Sequence, residues 1–201
     1  MPGFCSILSR LFRRKETPKT GTVPKPKMAT PSINARGIEL IQHFESCLEP
    51  IGNGRYRAYP DPAHGWKVPT IGWGTVGYPD GSKVKRGDVI SQQYADELLA
   101  WEVGEKSEGV RELVKVKLND DQFSALVAFS YNVGLGNLKS STLLRKLNAG
   151  DFVGASMEFE RWNKANGKTL PGLTRRRLSE QRLFAGAANP IVTYDEFRRM
   201  A

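Results

Sequence analysis

The most constraining feature of this 201-residue chain is a succession of helical segments that fills most of its second half. Each segment starts at a residue whose side chain can cap a helix and then carries apolar residues at helical spacing. The predicted helices begin at Ser91 (to about residue 117), Asn119, Ser140 and Asp151, and the last runs from about residue 173 to 185, ending at Gly186. The segment after Asn119, DDQFSALVAFSYNVG, is strongly apolar and predicts a central helix.

A different pattern precedes these helices. The sequence predicts an extended conformation for residues 55–86. Within this region, YPDGS at 78–82 predicts a turn between strands at 70–77 and 82–86. A first helix, GIELIQHFESCL, comes earlier and begins at Ser32 or Asn34. The sequence therefore predicts an α+β fold: a small β-hairpin-containing lobe behind the first helix, a larger helical lobe, and a cleft between the two.

The N-terminal residues 1–31 have a different composition and predict a basic extension and linker. The net charge is +9, of which +6 falls in the first thirty residues, and residues 16–31 are rich in Pro, Lys and Thr. Residues 4–15 place apolar side chains at helical spacing beside Arg and Lys, which is typical of a helix that binds anionic lipid or the outer membrane. A passive extension is the alternative. Residues 32–187 are the predicted folded domain, and residues 188–201 a C-terminal tail.

Several classes of protein are disfavoured by the sequence. No apolar run reaches the roughly 20 residues that a membrane-spanning helix requires. The two cysteines, Cys5 and Cys47, do not form a disulfide framework, and both are interpreted as free thiols. GWGTVG at 72–77 matches a dinucleotide-binding motif, but YPDGSK follows it and cannot begin the helix that such a site needs.

Two hydrolytic mechanisms also have weak support. His43, Cys47 and His64 are the best zinc ligands available, but the spacing of a zinc hydrolase is absent. No G-x-S-x-G motif supports a serine nucleophile.

Carboxylates carry the strongest chemical signal. Glu45 shares a predicted helix face with Ile38, Ile41 and Leu48, where a charged group is costly unless it is paired or functional. Asp61 follows in a Pro-bracketed turn and Thr70 in a strand, although an Asp in such a turn is often only a turn former. One protonated carboxyl and one ionised carboxylate are what a glycosidase needs beside the scissile bond.

These residues carry a resemblance to a known family. Glu45, then YPDP with Asp61, then TIGWGTVG from Thr70, resemble the ordered catalytic triad of the phage-type lysozymes, glycoside hydrolase family 24. The stretches LNDDQFSALVAFSYNVGLGNLKSSTLLRKLNAGDF and EFERWNKANGKTLPGLTRRRLSEQRLF resemble the helical lobe of its endolysin branch. The resemblance covers about residues 33–187.

The resemblance implies a function. The expected reaction is hydrolysis of the β-1,4 bond between N-acetylmuramic acid and N-acetylglucosamine in peptidoglycan. Glu45 would protonate the leaving oxygen, Asp61 would position a water or stabilise the transition state, and Thr70 would hold that water. Tyr131 and Asn132 would bind sugar amides, or would simply end their helix.

The resemblance also implies the setting of the reaction. No metal, cofactor or nucleic acid is expected, and the protein should be a monomer. It would be made in the host cytoplasm and, with no signal sequence in view, released through a phage holin to the periplasm or cell wall. A lytic transglycosylase and a non-catalytic envelope-binding protein on the same fold are the alternatives.

The chain departs from the family pattern in two loops. Fifteen residues separate Glu45 from Asp61, with EPIGNGRYR as the surplus, and part of AHGWKV lengthens the segment between Asp61 and Thr70. Loops tolerate such insertions. Because the insertions make the mapping of Asp61 less direct than that of Glu45, Asp80 is the alternative carboxylate. The TRRRLSEQR cluster is interpreted as a solvated face, with binding of an anionic lactyl-peptide or packing of the lobes as the alternatives.

Overall fold

A computed structural model of the chain describes residues 32–45, 49–61 and 64–200. The predictions for the basic extension, its helix at 4–15, Cys5 and Cys47 lie outside these residues.

The described residues form eight α-helices and six short strands. The helices are α1 Ala35–Glu45, α2 Gln92–Leu113, α3 Asp120–Val133, α4 Leu135–Ser140, α5 Thr142–Asn148, α6 Phe152–Met157, α7 Pro171–Phe184 and α8 Tyr194–Met200, with a 3-10 helix at Phe159–Trp162. The strands are β1 Arg55–Arg57, β2 Tyr59–Asp61, β3 Gly65–Thr70, β4 Val89–Ser91, β5 Lys164–Ala165 and β6 Lys168–Thr169. They pair as three antiparallel two-stranded sheets, β1–β4, β2–β3 and β5–β6.

The helical lobe is built around α3. All eight residues from 123 to 130 are buried, so this helix is surrounded on every side, as its apolar sequence predicts. It packs against α1, α2 and α7. A reciprocal capping box starts the helix: the Asn119 side chain accepts from the Gln122 N–H, and the Gln122 side chain accepts from the Asn119 N–H.

The small lobe has a hydrophobic core of its own, and α2 contributes side chains to this core and to the core of the helical lobe. Its residues Tyr94, Ala95 and Leu98 pack in the core of the small lobe, whereas Leu99 and Val103 pack in the core of the helical lobe. Trp73, between β3 and β4, packs against both cores. The two-lobed α+β architecture predicted from the sequence is confirmed.

Most of the predicted helix starts are confirmed. Asn34, Ser91, Asn119 and Asp151 each accept a hydrogen bond from a backbone N–H of the first turn. The prediction that Ser140 caps α5 is off by one residue: Ser141 accepts from the Leu144 N–H. Ser140 instead belongs to α4.

The predicted strands at 70–77 and 82–86 are wrong. Thr70 ends β3, and the rest of this region holds only isolated bridges, Ile71 with Thr75 and Gly77 with Lys83. Gly72 and Gly74 interrupt an extended strand because both adopt positive φ, 59° and 104°. The turn itself is present, since the Tyr78 N–H donates to the Ser82 carbonyl.

The sequence predicted only a tail beyond Gly186, but the structure adds α8 there. The buried Val192 donates its N–H to Ser179 Oγ at 2.9 Å, and Glu196 pairs with Arg182 at 2.8 Å. These contacts dock the segment on α7. Neighbouring Thr193 begins the helix by accepting from the Glu196 N–H, a signal that was overlooked. Among the described helices, none has the length and apolar character needed to span a bilayer.

Candidate active site

A cleft of about 630 Å³ lies between the two lobes. Loop residues 74–83 of the small lobe form one wall, and side chains of α2 and the end of α3 form another. The residues with hydrogen-bonding or aromatic groups on the helical side include Glu45, Trp101, Glu102, Tyr131 and Asn132.

Glu45 is the last residue of α1, and its side chain is 20% exposed at the cleft. Its Oε1 accepts a hydrogen bond from Arg176 Nη1 at 2.6 Å. A Cβ on Gly74 would lie only 3.3 Å from Glu45 Oε2, so the small lobe brings bare backbone against this carboxyl. The carboxyl is therefore held in one orientation while part of it stays open to the cleft.

The charged cluster on α7 is buried, so its interpretation as a solvated face is wrong for its central members. Arg176 and Arg177 are 3% and 0% exposed. Both contact Glu180 Oε1, at 3.1 and 3.0 Å, and Arg176 also reaches Glu45. Two cations thus face two carboxyls, which offsets the cost of burying them. Burial raises the pKa of Glu180 and lowers that of Arg177 to about 10.

The structure brings both predicted sugar-binding residues to the cleft. Asn132 Oδ1 accepts from Arg177 Nη2 at 2.8 Å. Because a guanidinium only donates, this contact orients the amide oxygen toward Arg177 and leaves the NH₂ group as a donor. Tyr131 Oη lies 2.6 Å from Glu102 Oε2 and 3.1 Å from the Trp73 carbonyl oxygen.

Glu102 also lines the cleft, although it is not among the site residues predicted from the sequence. Burial raises its pKa, and nearby Glu45 acts in the same direction, whereas Tyr131, Thr75 and Lys106 lower it. The signal that identified Glu45 was available here too, because Glu102 lies beside Leu98, Leu99 and Val103 on the apolar stripe of α2.

Asp61 and Thr70 lie on one hairpin and are not among the described lining residues of the cleft. Asp61 ends β2, and its Oδ1 accepts from the His64 N–H at 2.7 Å and contacts His64 Nδ1 at 2.8 Å. Thr70 ends β3 opposite Tyr59 and is buried, with its hydroxyl donating to the Val68 carbonyl. The same strand continues into the loop that carries Gly74.

Within the described ranges, no three His, Cys, Asp or Glu side chains form a group that could hold a metal ion. Of the weak zinc candidates, His43 is exposed on α1 and His64 pairs with Asp61.

Comparison with known proteins identifies the family. Residues 44–180 match the phage lysozyme family. The endolysin of Bacillus phage B103 is 46% identical over 154 residues, covering 76% of this chain and 54% of that protein. The chain thus spans about half the length of this relative, and the same holds for the endolysin of Bacillus phage PZA.

Solved structures agree in fold. An endolysin from Escherichia coli O157:H7 phage FAHEc1 superposes with a TM-score of 0.69 at 31% identity, covering 81% of this chain and 98% of that one. The muramidase domain of SpmX from Asticaccaulis excentricus gives a TM-score of 0.63 at 30% identity, covering 76% and 97%. By its matched residues and by its two-lobed fold, the chain belongs to the phage lysozyme family.

Proposed function

We propose that residues 32–187 form an endolysin-type muramidase that hydrolyses the β-1,4 bond between N-acetylmuramic acid and N-acetylglucosamine in peptidoglycan. The observation that carries the proposal is Glu45: a carboxyl at the cleft, held by buried Arg176 and facing the Gly74 backbone. The relatives named as endolysins and the neighbour named as a muramidase domain support this substrate.

In the proposed reaction, Glu45 gives its proton to the leaving glycosidic oxygen as the bond from that oxygen to the anomeric carbon breaks. A water attacks the anomeric carbon, and the proton that it loses passes to a carboxylate or to solvent, from which Glu45 is protonated again for the next turnover. Asp61 would orient this water or stabilise the developing positive charge, and Thr70 would help to hold it. Their shared hairpin, which leads into the Gly74 loop, supports a common role.

Sugar recognition would use the end of α3. The NH₂ group of Asn132, oriented by Arg177, can donate to an N-acetyl carbonyl, and Tyr131 lines the same wall. A cleft between lobes is a usual place for such a ligand. No cofactor takes part in this scheme.

The setting follows from the proposed substrate. A monomer would be made in the host cytoplasm and act on peptidoglycan after release, for which we propose a holin. The relatives called endolysins support an action on the wall.

A lytic transglycosylase is the second candidate, favoured by one observation: Glu45 lines the cleft, but Asp61 and Thr70 are not among its described lining residues. A transglycosylase expels its product by internal attack of the 6-hydroxyl and therefore needs no water-holding pair. The two reactions leave different ends on the glycan, reducing muramic ends after hydrolysis and anhydro ends after transglycosylation.

The deciding experiment is mass spectrometry of purified peptidoglycan digested by the parent chain, by Glu45→Gln and by Glu39→Gln. The parent should release reducing muramic ends. Glu45→Gln should lose about 10²–10⁴-fold in rate, the usual contribution of general acid–base catalysis. Glu39, exposed on the same helix, is the matched control and should remain active. Anhydro ends would select the transglycosylase, and a folded, fully active Glu45→Gln would refute both.

A further inference from the structure

One hydroxyl in the cleft lies between two acceptors. Tyr131 Oη is 2.6 Å from Glu102 Oε2 and 3.1 Å from the carbonyl oxygen of Trp73. A phenol has a single proton to donate, and a carbonyl can only accept. Both contacts are full hydrogen bonds at the same time only if Glu102 carries a proton, donating to Tyr131 while Tyr131 donates to Trp73.

The ionised form of Glu102 gives a poorer arrangement. An ionised carboxylate would accept the single hydrogen bond that Tyr131 can donate, because charge-assisted hydrogen bonds are the stronger ones. The Trp73 carbonyl would then lose this donor, and a partly buried acceptor without a partner is costly.

The surroundings of Glu102 favour the protonated form. Burial raises the pKa of Glu102 and is the largest effect, and Glu45 of α1 adds to the rise. The hydroxyls of Tyr131 and Thr75 and the charge of Lys106 of α2 oppose this rise without cancelling it. Thr75 faces the carboxyl without reaching full hydrogen-bond geometry. Burial also raises the pKa of Tyr131, with Arg176 of α7 opposing, so the phenol keeps its proton. Lys83 and Glu105 complete the charged groups on this part of the cleft.

The segment held by this chain of hydrogen bonds lies beside Glu45. Trp73 is held through its side chain and its backbone, because its indole Nε1–H donates to Asp96 Oδ1 at 2.8 Å and its carbonyl accepts from Tyr131. The next residue, Gly74, has φ of 104° and is the backbone that approaches Glu45 Oε2. A change in the Tyr131–Trp73 bond is therefore transmitted directly to the wall opposite Glu45.

We propose that Glu102 is a positioning residue that carries a proton in the working protein and, through Tyr131, fixes the Trp73–Gly74 backbone beside Glu45. When Glu102 ionises, the Tyr131 hydroxyl donates to the carboxylate instead, and the Trp73 carbonyl loses its hydrogen bond from Tyr131. The activity readout below rests on the proposed function, whereas the protonation readout does not.

The first measurement is a carbon-13 NMR titration of the glutamate carboxyl groups in the full chain, with Glu102→Gln used to assign the Glu102 signal. The Glu102 carboxyl should ionise at clearly higher pH than the exposed Glu105 on the same helix. A Glu102 signal that titrates together with that of Glu105 would overturn the proposal, whether or not the chain cleaves peptidoglycan.

The second measurement is the kcat of Glu102→Gln divided by the kcat of the parent across pH. A glutamine amide can donate to Tyr131 at every pH, so this ratio should be flat at acid pH and rise through the pH at which Glu102 ionises. Dividing by the parent removes the pH effects that the two proteins share. A ratio that stays flat through that pH would refute the positioning role.

Two further variants separate this role from simple packing. Glu105→Gln lines the same cleft and should show a flat ratio at all pH values. Tyr131→Phe removes the hydroxyl altogether and should lower kcat by up to about 100-fold below the pH at which Glu102 ionises, the cost of a small misplacement near the reacting groups. Above that pH the deficit relative to the parent should shrink, because the parent has then lost the same Tyr131–Trp73 hydrogen bond. Retention of full kcat by Tyr131→Phe below that pH would also contradict the proposal, and absence of any glycan cleavage by the parent would contradict the proposed function alone.

Discussion

Asp61 and Asp80 each hold a turn of the small lobe through one side-chain oxygen. Asp61 Oδ1 accepts from the His64 N–H, and Asp80 Oδ1 accepts from the Ser82 N–H. Asparagine preserves such an acceptor and removes only the charge. We expect Asp61→Asn to lower the rate of glycan hydrolysis about 100-fold or more, as loss of a catalytic carboxylate does. Asp80→Asn should stay close to the parent.

Both variants should unfold at nearly the same temperature, which makes the pair a matched test of chemistry. The reverse ranking of activities would show that Asp80 is the functional carboxylate. Equal activities would remove both residues from the mechanism.

At the scale of single residues, the sequence was informative where a charge interrupts an apolar stripe. Glu45 was found in this way, and Glu102 carries the same signal on α2 but was overlooked. The partner of Glu45 could not be predicted by such reasoning, because Arg176 lies 131 positions away and no periodicity links the two residues. The burial of Arg176 depends on how α7 packs on α1 and α3, a tertiary property.

Among the elements, α7 carries a buried and a surface ion pair that can be compared directly. Arg176 is 4% exposed at its side chain and joins Glu45 to Glu180, whereas Arg182, 30% exposed, joins Glu196 of α8. Arg176→Gln should lower the free energy of unfolding by about 3–5 kcal/mol, because it leaves Glu45 without its cation and buried Glu180 with Arg177 alone. Arg182→Gln should cost about 1 kcal/mol or less. Chemical denaturation measures both.

Similar losses in the two variants would mean that the Arg176 cluster is effectively solvated. A larger loss for Arg182→Gln would assign the stability of this region to the docking of α8 instead.

Glu158 ties the 3-10 helix to α5 and should make this junction sensitive to acid. Its carboxylate contacts Lys146 at 2.6 Å and Arg161 at 3.1 Å, and the hydrogen bond from Lys146 holds its pKa below the ordinary range. A carboxyl with a folded-state pKa below its unfolded value of about 4.3 stabilises the fold above that pH and loses this effect as pH falls through the folded-state value.

Thermal unfolding at several pH values checks this expectation. Glu158→Gln should lower the unfolding temperature at neutral pH, and the difference from the parent should disappear in strong acid. Exposed Glu160 is the control, and Glu160→Gln should show no such trend. A Glu158→Gln deficit that persists unchanged in strong acid would mean that packing, and not charge, is responsible.

Local rules predicted the helices better than the strands. Capping side chains and apolar spacing lie within a few residues, which is why four helix starts were correct. The small lobe depends on backbone conformations at Gly72 and Gly74 and on pairing between β1 and β4, which are more than thirty residues apart in sequence. The position of the Asp61–Thr70 hairpin relative to Glu45 depends on the two lengthened loops, whose course no local rule supplies.

For the whole molecule, the uneven charge leads to a prediction about targeting. Residues 1–30 carry +6 of the net +9. Anionic lipid attracts basic residues by about 1 kcal/mol each near its surface. Deleting residues 1–30 should therefore weaken binding to anionic vesicles and lysis of intact cells, while hydrolysis of purified peptidoglycan should persist. Added salt should weaken vesicle binding by the parent, since it screens this attraction.

A second variant keeps the length of the segment and removes only charge. Arg10→Gln, Arg13→Gln and Arg14→Gln combined should reproduce much of the loss in vesicle binding. If the deleted and parent chains bind vesicles and lyse cells equally at low salt, the segment is a passive extension.

The division of α2 between two cores has a consequence for how the protein comes apart. Leu98 and Leu99 are neighbours in sequence, yet one packs in the small lobe and the other in the helical lobe, and Trp73 contacts both cores. Local unfolding of one region requires that the rest of the structure stays intact. Unfolding of either lobe would remove α2 side chains or their partners from the core of the other lobe, so neither lobe can unfold alone. Amide exchange in the two lobes should therefore report one shared opening free energy, as expected if a protein with two visible halves unfolds as one cooperative unit.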